Sequence, residues 1–262
     1  TVQPMGDLGR HDASDSLRIP PKGAHPSAHP STPDAPSETQ AAAQAAIVGQ
    51  VLSQYRRGWF LMADSEDPDA GPQWVQPRRR AIIPLDGVGF RVSTNVRRKA
   101  LSGRFIIRSD SAFADVIAAC AQPRPYGHLL KTCEHEATWI DRSIIGTFNL
   151  LHAFGFAHSV EAWRLPTPGS PDPAPILVGG LYGIAIGSLF CGESMFTRPD
   201  PDPARDGSDS SKVCLLHLVH HLRRQGFRML DSQIMNHHVA QFGAYEISRL
   251  EYLSVIRGLT GQ

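Results

Sequence analysis

Two short stretches of this chain carry the side chains best suited to handling a proton. Glu193 is the first charged residue after a long uncharged run that starts at Leu177, and Asp231 is followed two residues later by Gln233. A carboxylate that follows an apolar run needs a partner, and a cationic substrate would supply one. Asp231 and Gln233 are two apart at a predicted strand end, so both can face one side, where Asp231 can orient the Gln233 amide or share an incoming ammonium group. By itself, that pair is more typical of an Asp that caps a following helix, with an exposed Gln.

The uncharged run before Glu193 predicts a buried β-hairpin. It contains five glycines, which indicates that its backbone comes close to another strand or to a ligand: Gly179, Gly180, Gly183, Gly187 and Gly192. The run approaches the ~20 apolar residues of a membrane span. However, the glycines and the flanking Pro-rich segments argue against a lipid-facing helix. A period-two pattern places Glu193 at the end of the second strand.

The second half of the chain alternates predicted strands with amphipathic helices around this hairpin. Such an order is typical of a mixed α/β sheet, so the predicted fold class is α/β (α+β). Residues 1–44 form a predicted disordered tail, because the first 40 residues hold seven prolines and few large apolar side chains. We predict a small N-terminal domain over 45–79 and a larger catalytic domain over 80–262.

The charge of the chain is unevenly distributed. Residues 78–108 hold nine Lys or Arg against a single acid, Asp86, which leaves a net charge of −7 on the rest of a chain whose total is +1. A basic block of this kind is typical of phosphate contacts and equally of a solvated basic surface. Its most concentrated part is a predicted helix with Arg97, Arg98 and Lys99.

Metal and disulfide chemistry are not indicated by the sequence. The four cysteines (Cys120, Cys133, Cys191 and Cys214) lack metal-ligand spacing and predict free thiols in a reducing compartment. The histidines around His217 and His221 lack the acidic or Cys partners of a zinc site. No secretory signal is visible, so we expect a cytoplasmic protein, without a metal, a cofactor or membrane contact.

Five separated motifs resemble one bacterial enzyme family. The central motif reads GGLYGIAIGSLFCGESMF; it is preceded by AHSVEAW and followed by SK, GFRMLDSQ and FGAYEISRLEYL. These motifs, in this order, are similar to those of leucyl/phenylalanyl-tRNA protein transferases. Enzymes of that family move an amino acid from aminoacyl-tRNA to protein N-termini that bear Lys or Arg. The resemblance extends over about residues 45–257.

The resemblance implies an acyl-CoA N-acyltransferase-like fold and a set of roles. It assigns Asp231 and Gln233 to catalysis, and Glu193 and Ser194 to substrate binding. The implied lining of the pocket for the transferred side chain is apolar: Leu181, Phe190, Met195, Leu218 and Leu222. Trp139, in a TWI triplet, corresponds to the residue that stacks on the terminal adenine, an interaction worth ~1–3 kcal/mol per base.

Two further roles come from the same resemblance. A second aromatic of the nucleoside pocket is replaced here by Met62, and Trp59 is the nearest aromatic candidate. The basic helix with Arg97, Arg98 and Lys99 corresponds to the contact with the tRNA acceptor arm. The implied function is transfer of Leu or Phe, or Met, by a monomeric enzyme to proteins with N-terminal Lys or Arg, which marks those proteins for degradation.

Three other functions compete with this one. An N-acyltransferase that uses acetyl-CoA would need a pyrophosphate-binding Arg/Gln-x-x-Gly-x-Gly/Ala signature, and residues 223–227 lack its second glycine. A serine hydrolase built on Ser194 would need a glycine where Phe196 stands. A non-catalytic tRNA-binding module would explain the basic block but leaves Glu193 and Asp231 without a role.

Overall fold

The computed structural model describes residues 17, 19, 37–63, 71–122, 139–166 and 174–261. The helices are α1 (Glu38–Arg56), α2 (Thr94–Leu101), α3 (Phe113–Cys120), α4 (Arg142–Ala153), α5 (Ser210–Arg224), α6 (His237–Ala240) and α7 (Arg249–Leu259). The strands are β1 (Phe60–Ala63), β2 (Pro72–Val75), β3 (Arg79–Ile83), β4 (Ile106–Ser109), β5 (Ala157–Arg164), β6 (Ile176–Ile186), β7 (Leu189–Thr197), β8 (Met229–Asp231) and β9 (Tyr245–Ser248).

The main sheet has seven strands in the order β4-β5-β6-β7-β8-β3-β9. Its strand pairs are antiparallel except β7 and β8, which are parallel. The parallel pair requires a crossover, and α5 supplies it. Strands β1 and β2 form a separate antiparallel pair. The mixed α/β architecture predicted from the sequence is confirmed.

The central hairpin is formed by β6 and β7, as predicted. Gly187 turns the chain with φ +61°, in the left-handed region that favours glycine. A Cβ on Gly183 would lie 2.2 Å from the Cys191 carbonyl oxygen, so a side chain there would separate the two strands. The predicted end of the second strand is wrong, because β7 continues past Glu193 to Thr197.

Apolar side chains pack on both faces of the sheet. On one face, residues from α1, α3, α4 and α7 surround Tyr182 and Cys191; on the other, residues from α2 and α5 surround Leu181 and Phe190. Successive residues of β6 and β7 alternate between these two cores because strand side chains alternate in direction. The predicted N-terminal unit contributes α1 to the first core, so it packs directly against the main sheet.

The N-terminal tail contributes two described residues to the second core. Leu17 is 6% exposed and Ile19 is 2% exposed, and the Ile19 carbonyl oxygen lies 2.9 Å from the His221 Nε2 of α5. The other residues of 1–36 lie outside the described part. Helix α1 begins at Glu38, earlier than the predicted boundary at 45, because Ser37 caps it by accepting from the Gln40 N–H.

None of the described helices is long and apolar enough to cross a membrane. Cys120, Cys191 and Cys214 are free and buried, as predicted, whereas Cys133 lies outside the described residues.

Candidate active site

The candidate site lies where the parallel pair β7 and β8 separates. Their ladder ends at the pair Cys191 and Asp231. Beyond it, β7 runs on to Thr197 while paired with β6 alone, and the chain after β8 leaves the sheet. An opening between strands therefore exposes backbone and side chains in the middle of the sheet.

Glu193 sits at a β-bulge at this opening. In the β6 and β7 ladder, Tyr182 pairs with Ser194 and Gly183 with Gly192, so Glu193 is the extra residue of β7 without a partner in β6. A bulge breaks the period-two alternation and re-aims a side chain. The Glu193 carboxylate consequently meets Gln233, whose Nε2 donates to its Oε1 at 3.1 Å.

Asp231 is fully buried and held by a cluster of donors. The Arg80 guanidinium contacts both carboxylate oxygens, with Nε at 2.9 and 3.0 Å and Nη2 at 2.6 Å. The Tyr252 hydroxyl donates to Oδ2 at 2.7 Å, and the Gln233 backbone N–H donates to Oδ1 at 2.9 Å. These bonds use most of the acceptor capacity of the carboxylate, which has about four lone-pair sites.

Arg80 is itself buried, with 2% exposure, and several contacts fix its position. Its Nη1 donates to the Gly58 carbonyl at 2.9 Å, and its guanidinium lies 4.9 Å from the Phe60 ring centroid and 4.5 Å from that of Tyr252. Burial is the largest single influence on the Arg80 pKa and lowers it, but the surrounding groups, Asp231 first among them, together raise that pKa overall. Sequence reasoning missed this residue because it lies in the basic block 78–108.

Gln233 adopts a left-handed conformation, with φ 57°, and is 6% exposed. The prediction that Asp231 orients the Gln233 amide from a shared strand face is wrong, because β8 ends at Asp231 and the chain turns there. Asp231 instead accepts the backbone N–H of Gln233, and the amide points to Glu193. The Gln233 carbonyl accepts from the Ala81 N–H at 3.0 Å, which fixes the turn against β3.

Buried hydroxyl groups adjoin Glu193. Burial raises the pKa of Glu193 from 4.5 to about 8, although the Tyr55 hydroxyl beside it and Arg80 lower that pKa. The hydroxyls of Tyr55 and Tyr182 are buried, and neither has a partner of good geometry within the described residues. After burial, the negative charge of Glu193 is among the causes that raise the pKa of each phenol.

The side chains proposed to line the acyl pocket lie together on the α5 face of the sheet. Leu181, Phe190, Leu218 and Leu222 are buried in the second core. Met195 is partly exposed at the rim of that core, and its sulfur lies 2.8 Å from the His238 Nε2. Tail residues Leu17 and Ile19 belong to this same core. Ser194 is partly buried beside the bulge.

The two candidate nucleoside aromatics are both partly exposed. Trp139 packs against the first core, on the same side of the sheet as Tyr55, and its carbonyl oxygen accepts from the Ala63 N–H at 2.9 Å. Met62 packs against that core as well. Trp59 follows the end of α1, where its N–H donates to the Gln54 carbonyl.

Only part of the basic block is available to a polyanion. Four of its nine cations pair with carboxylates: Arg79 with Glu246, Arg80 with Asp231, Lys99 with Asp209 and Arg104 with Asp206. The other five are exposed: Arg78, Arg91, Arg97, Arg98 and Arg108. In α2, Arg98 also donates to Asn95 Oδ1 at 2.9 Å. Lys99 is therefore engaged within the protein, whereas Arg97 and Arg98 face solvent.

No group of three or more His, Cys, Asp or Glu side chains within the described ranges is arranged to hold a metal ion. The site consists of the Asp231 and Glu193 carboxylates, the Gln233 amide and the buried hydroxyls of Tyr55 and Tyr182, at a strand opening in a mixed α/β sheet. A carboxylate and an amide at such an opening can bind and align an amine, as an enzyme that transfers a group to an amine requires.

The family model for leucyl/phenylalanyl-tRNA protein transferase matches residues 82–257. The leucyl/phenylalanyl-tRNA protein transferase of Chlorobaculum tepidum is 41% identical over 215 residues, which cover 82% of this chain and 96% of that protein. The enzyme of the same name from Paramagnetospirillum magneticum is 43% identical over 202 residues, 77% of this chain and 83% of that one. This chain belongs to the leucyl/phenylalanyl-tRNA protein transferase family.

Among solved structures, a crystal structure of FemX aligns with a TM-score of 0.48 at 12% identity, over 76% of this chain and 66% of that chain. The resemblance identified in the sequence motifs is confirmed by the family model and by the two related enzymes.

Proposed function

We propose that this enzyme transfers Leu or Phe from aminoacyl-tRNA to the α-amino group of proteins whose N-terminus is Lys or Arg. The observation that carries the proposal is the group of Glu193, Gln233 and Asp231 at the strand opening, within a family named for transfer from leucyl- or phenylalanyl-tRNA to protein. The acidic site suits a cationic acceptor. The product carries a bulky apolar N-terminus, which we propose marks the protein for degradation.

The chemistry demands little of the protein beyond positioning. An aminoacyl ester is already activated, so holding amine and ester in line can supply much of the rate. A proton acceptor and a hydrogen-bond donor near the developing oxyanion supply the rest. Gln233 can align the amine through its side-chain oxygen, because its nitrogen is already bonded to Glu193.

The two faces of the sheet suit the two ends of the donor. We propose that the amino-acid side chain enters the apolar core at Leu181, Phe190, Met195, Leu218 and Leu222, and that the terminal adenosine lies against Trp139 and Trp59 on the other side. Support comes from the position of the pocket residues and of Trp139 in cores on opposite faces of the sheet. Arg97 and Arg98 are exposed and we propose that they contact acceptor-arm phosphates, with Lys99 holding α2 to Asp209.

The decisive experiment is incubation with charged Leu-tRNA or Phe-tRNA and a peptide that begins with Arg, followed by mass spectrometry. We expect addition of one Leu or Phe residue to the peptide. A matched peptide in which citrulline replaces Arg tests the requirement for positive charge, because citrulline keeps the shape and removes the charge. Absence of transfer from either tRNA would refute the proposal.

A further inference from the structure

We propose that Glu193 is the group that takes the proton from the α-ammonium of the acceptor, and that Asp231 is a positioning residue. This inference rests on the proposed function and assigns the proton transfer within the same site. It reverses the roles that sequence reasoning favours, in which Asp231 draws off the proton and Glu193 binds the cationic side chain of the acceptor.

The contacts of Asp231 disfavour it as the base. Its exposure is 0%, and its oxygens already accept from Arg80, Tyr252 and the Gln233 backbone. A proton placed there would disrupt a buried ion pair, because the guanidinium would lose the charge that compensates it. The carboxylate is instead well placed to hold Gln233 in its left-handed conformation.

The contacts of Glu193 favour it as the base. The residue is partly exposed at the strand opening, and the Gln233 amide donates to its carboxylate at 3.1 Å. The Tyr55 hydroxyl lies beside this carboxylate without a hydrogen bond of good geometry, and it lowers the pKa of Glu193. Because the bulge directs Glu193 toward Gln233, an amine aligned by that amide would also meet the carboxylate.

The electrostatics of the site are consistent with this role. The pKa of Glu193, about 8, matches the reference value of an α-amino group, about 7.7–8.0, so the ionised form of Glu193, roughly a tenth of the protein at pH 7, can take the proton at small cost. The groups that influence Glu193 come from several elements: Tyr55 of α1, Arg80 of β3 and Asp231 of β8. Glu193 in turn raises the pKa of Tyr182 and Cys191, after the larger effect of burial.

The step balances as follows. The Glu193 carboxylate takes one proton from the ammonium, and the neutral amine forms a C–N bond to the ester carbonyl carbon. The tetrahedral intermediate breaks its C–O bond to the ribose, and the leaving ribose oxygen takes the second proton of the amine. The products are an amide, a free ribose hydroxyl and a protonated Glu193, which returns its proton to water.

The test compares wild type with Glu193→Gln, a change that keeps shape and removes the base. With the Arg peptide at pH 7, we expect kcat/KM to fall by about 10²–10⁴-fold. With an acceptor whose α-amine is replaced by an aminooxy group, which is neutral at pH 7, we expect a fall of less than ~10-fold. For the Arg peptide at about pH 9.5, where the α-amine is already neutral, we again expect Glu193→Gln to lower kcat/KM by less than ~10-fold.

Two results would overturn the inference. Equal losses for both acceptors and at both pH values would make Glu193 a binding or structural residue. A loss confined to the Arg peptide and absent from its citrulline counterpart would return Glu193 to side-chain recognition. Glu251→Gln, an exposed site on α7, is the matched control and should leave kcat/KM unchanged. If wild type itself forms no product, the proposed function fails before the role of Glu193 is reached.

Discussion

Replacement of Glu193 by Gln should stabilise the protein in a pH-dependent way. The ordinary pKa of a Glu carboxyl is 4.5, and burial raises that of Glu193 in the folded state to about 8. A raised folded-state pKa contributes stability that is fully present below the unfolded value and is lost as the pH rises through the folded value. Gln stays neutral at every pH, so the variant avoids this loss.

The magnitude follows from the size of the shift. One pKa unit corresponds to about 1.4 kcal/mol, so a shift from 4.5 to about 8 sets an upper limit of about 5 kcal/mol. Glu193 is partly exposed, and water screens its charge, so we expect about 2–3 kcal/mol. The difference between variant and wild type should be close to zero at pH 4, increase between pH 4.5 and 8, and level off above.

The measurement is urea unfolding of both proteins at several pH values, with the free energy of unfolding extrapolated to water. Contributions of titrating groups that do not interact with Glu193 cancel in the difference between the two proteins. If the difference in free energy of unfolding between variant and wild type is the same at pH 4 and at pH 9, the reasoning is refuted. The folded protein would then accommodate the Glu193 charge without cost. Glu251→Gln should show no such pH dependence, since that side chain is exposed.

Three further outcomes are expected. Arg80→Met should lower the free energy of unfolding by about 3–5 kcal/mol, because it leaves the Asp231 charge buried without a partner, and urea unfolding at pH 7 measures this loss. Arg97→Glu combined with Arg98→Glu should weaken tRNA binding and reduce the slope of log affinity against log salt by roughly 0.7–0.9 per lost phosphate contact, as filter binding across a salt series would show. Ile19→Ala should lower the free energy of unfolding by about 2–5 kcal/mol, because Ile19 is buried against α5, and urea unfolding again measures it.

Each of these has a contradicting result. Wild-type stability of Arg80→Met would show that Asp231 finds another partner or loses its charge. An unchanged salt slope would place the tRNA phosphates elsewhere on the protein. Unchanged stability of Ile19→Ala would show that the tail does not pack in the second core. That result would agree with the sequence-based prediction of a disordered tail.

Local patterns were sufficient to predict the mixed α/β class, the central hairpin and the basic helix, but not the ends of the strands. The glycines of β6 and β7 required close backbone approach, and Gly183 and Gly187 provide it. The basic helix predicted around Arg97, Arg98 and Lys99 is found as α2. These features depend on residues that are close in the sequence, so the sequence alone is enough to predict them.

The arrangement of the site depends on contacts that no local pattern records. Arg80 and Asp231 are 151 residues apart, and only the pairing of β3 with β8 brings them together. A bulge re-aims Glu193, and a left-handed turn moves the Gln233 amide away from Asp231. Local sequence features therefore identified Glu193, Asp231 and Gln233 but not Arg80, whereas the partners and charges of these residues follow from the burial and strand register that the folded sheet imposes.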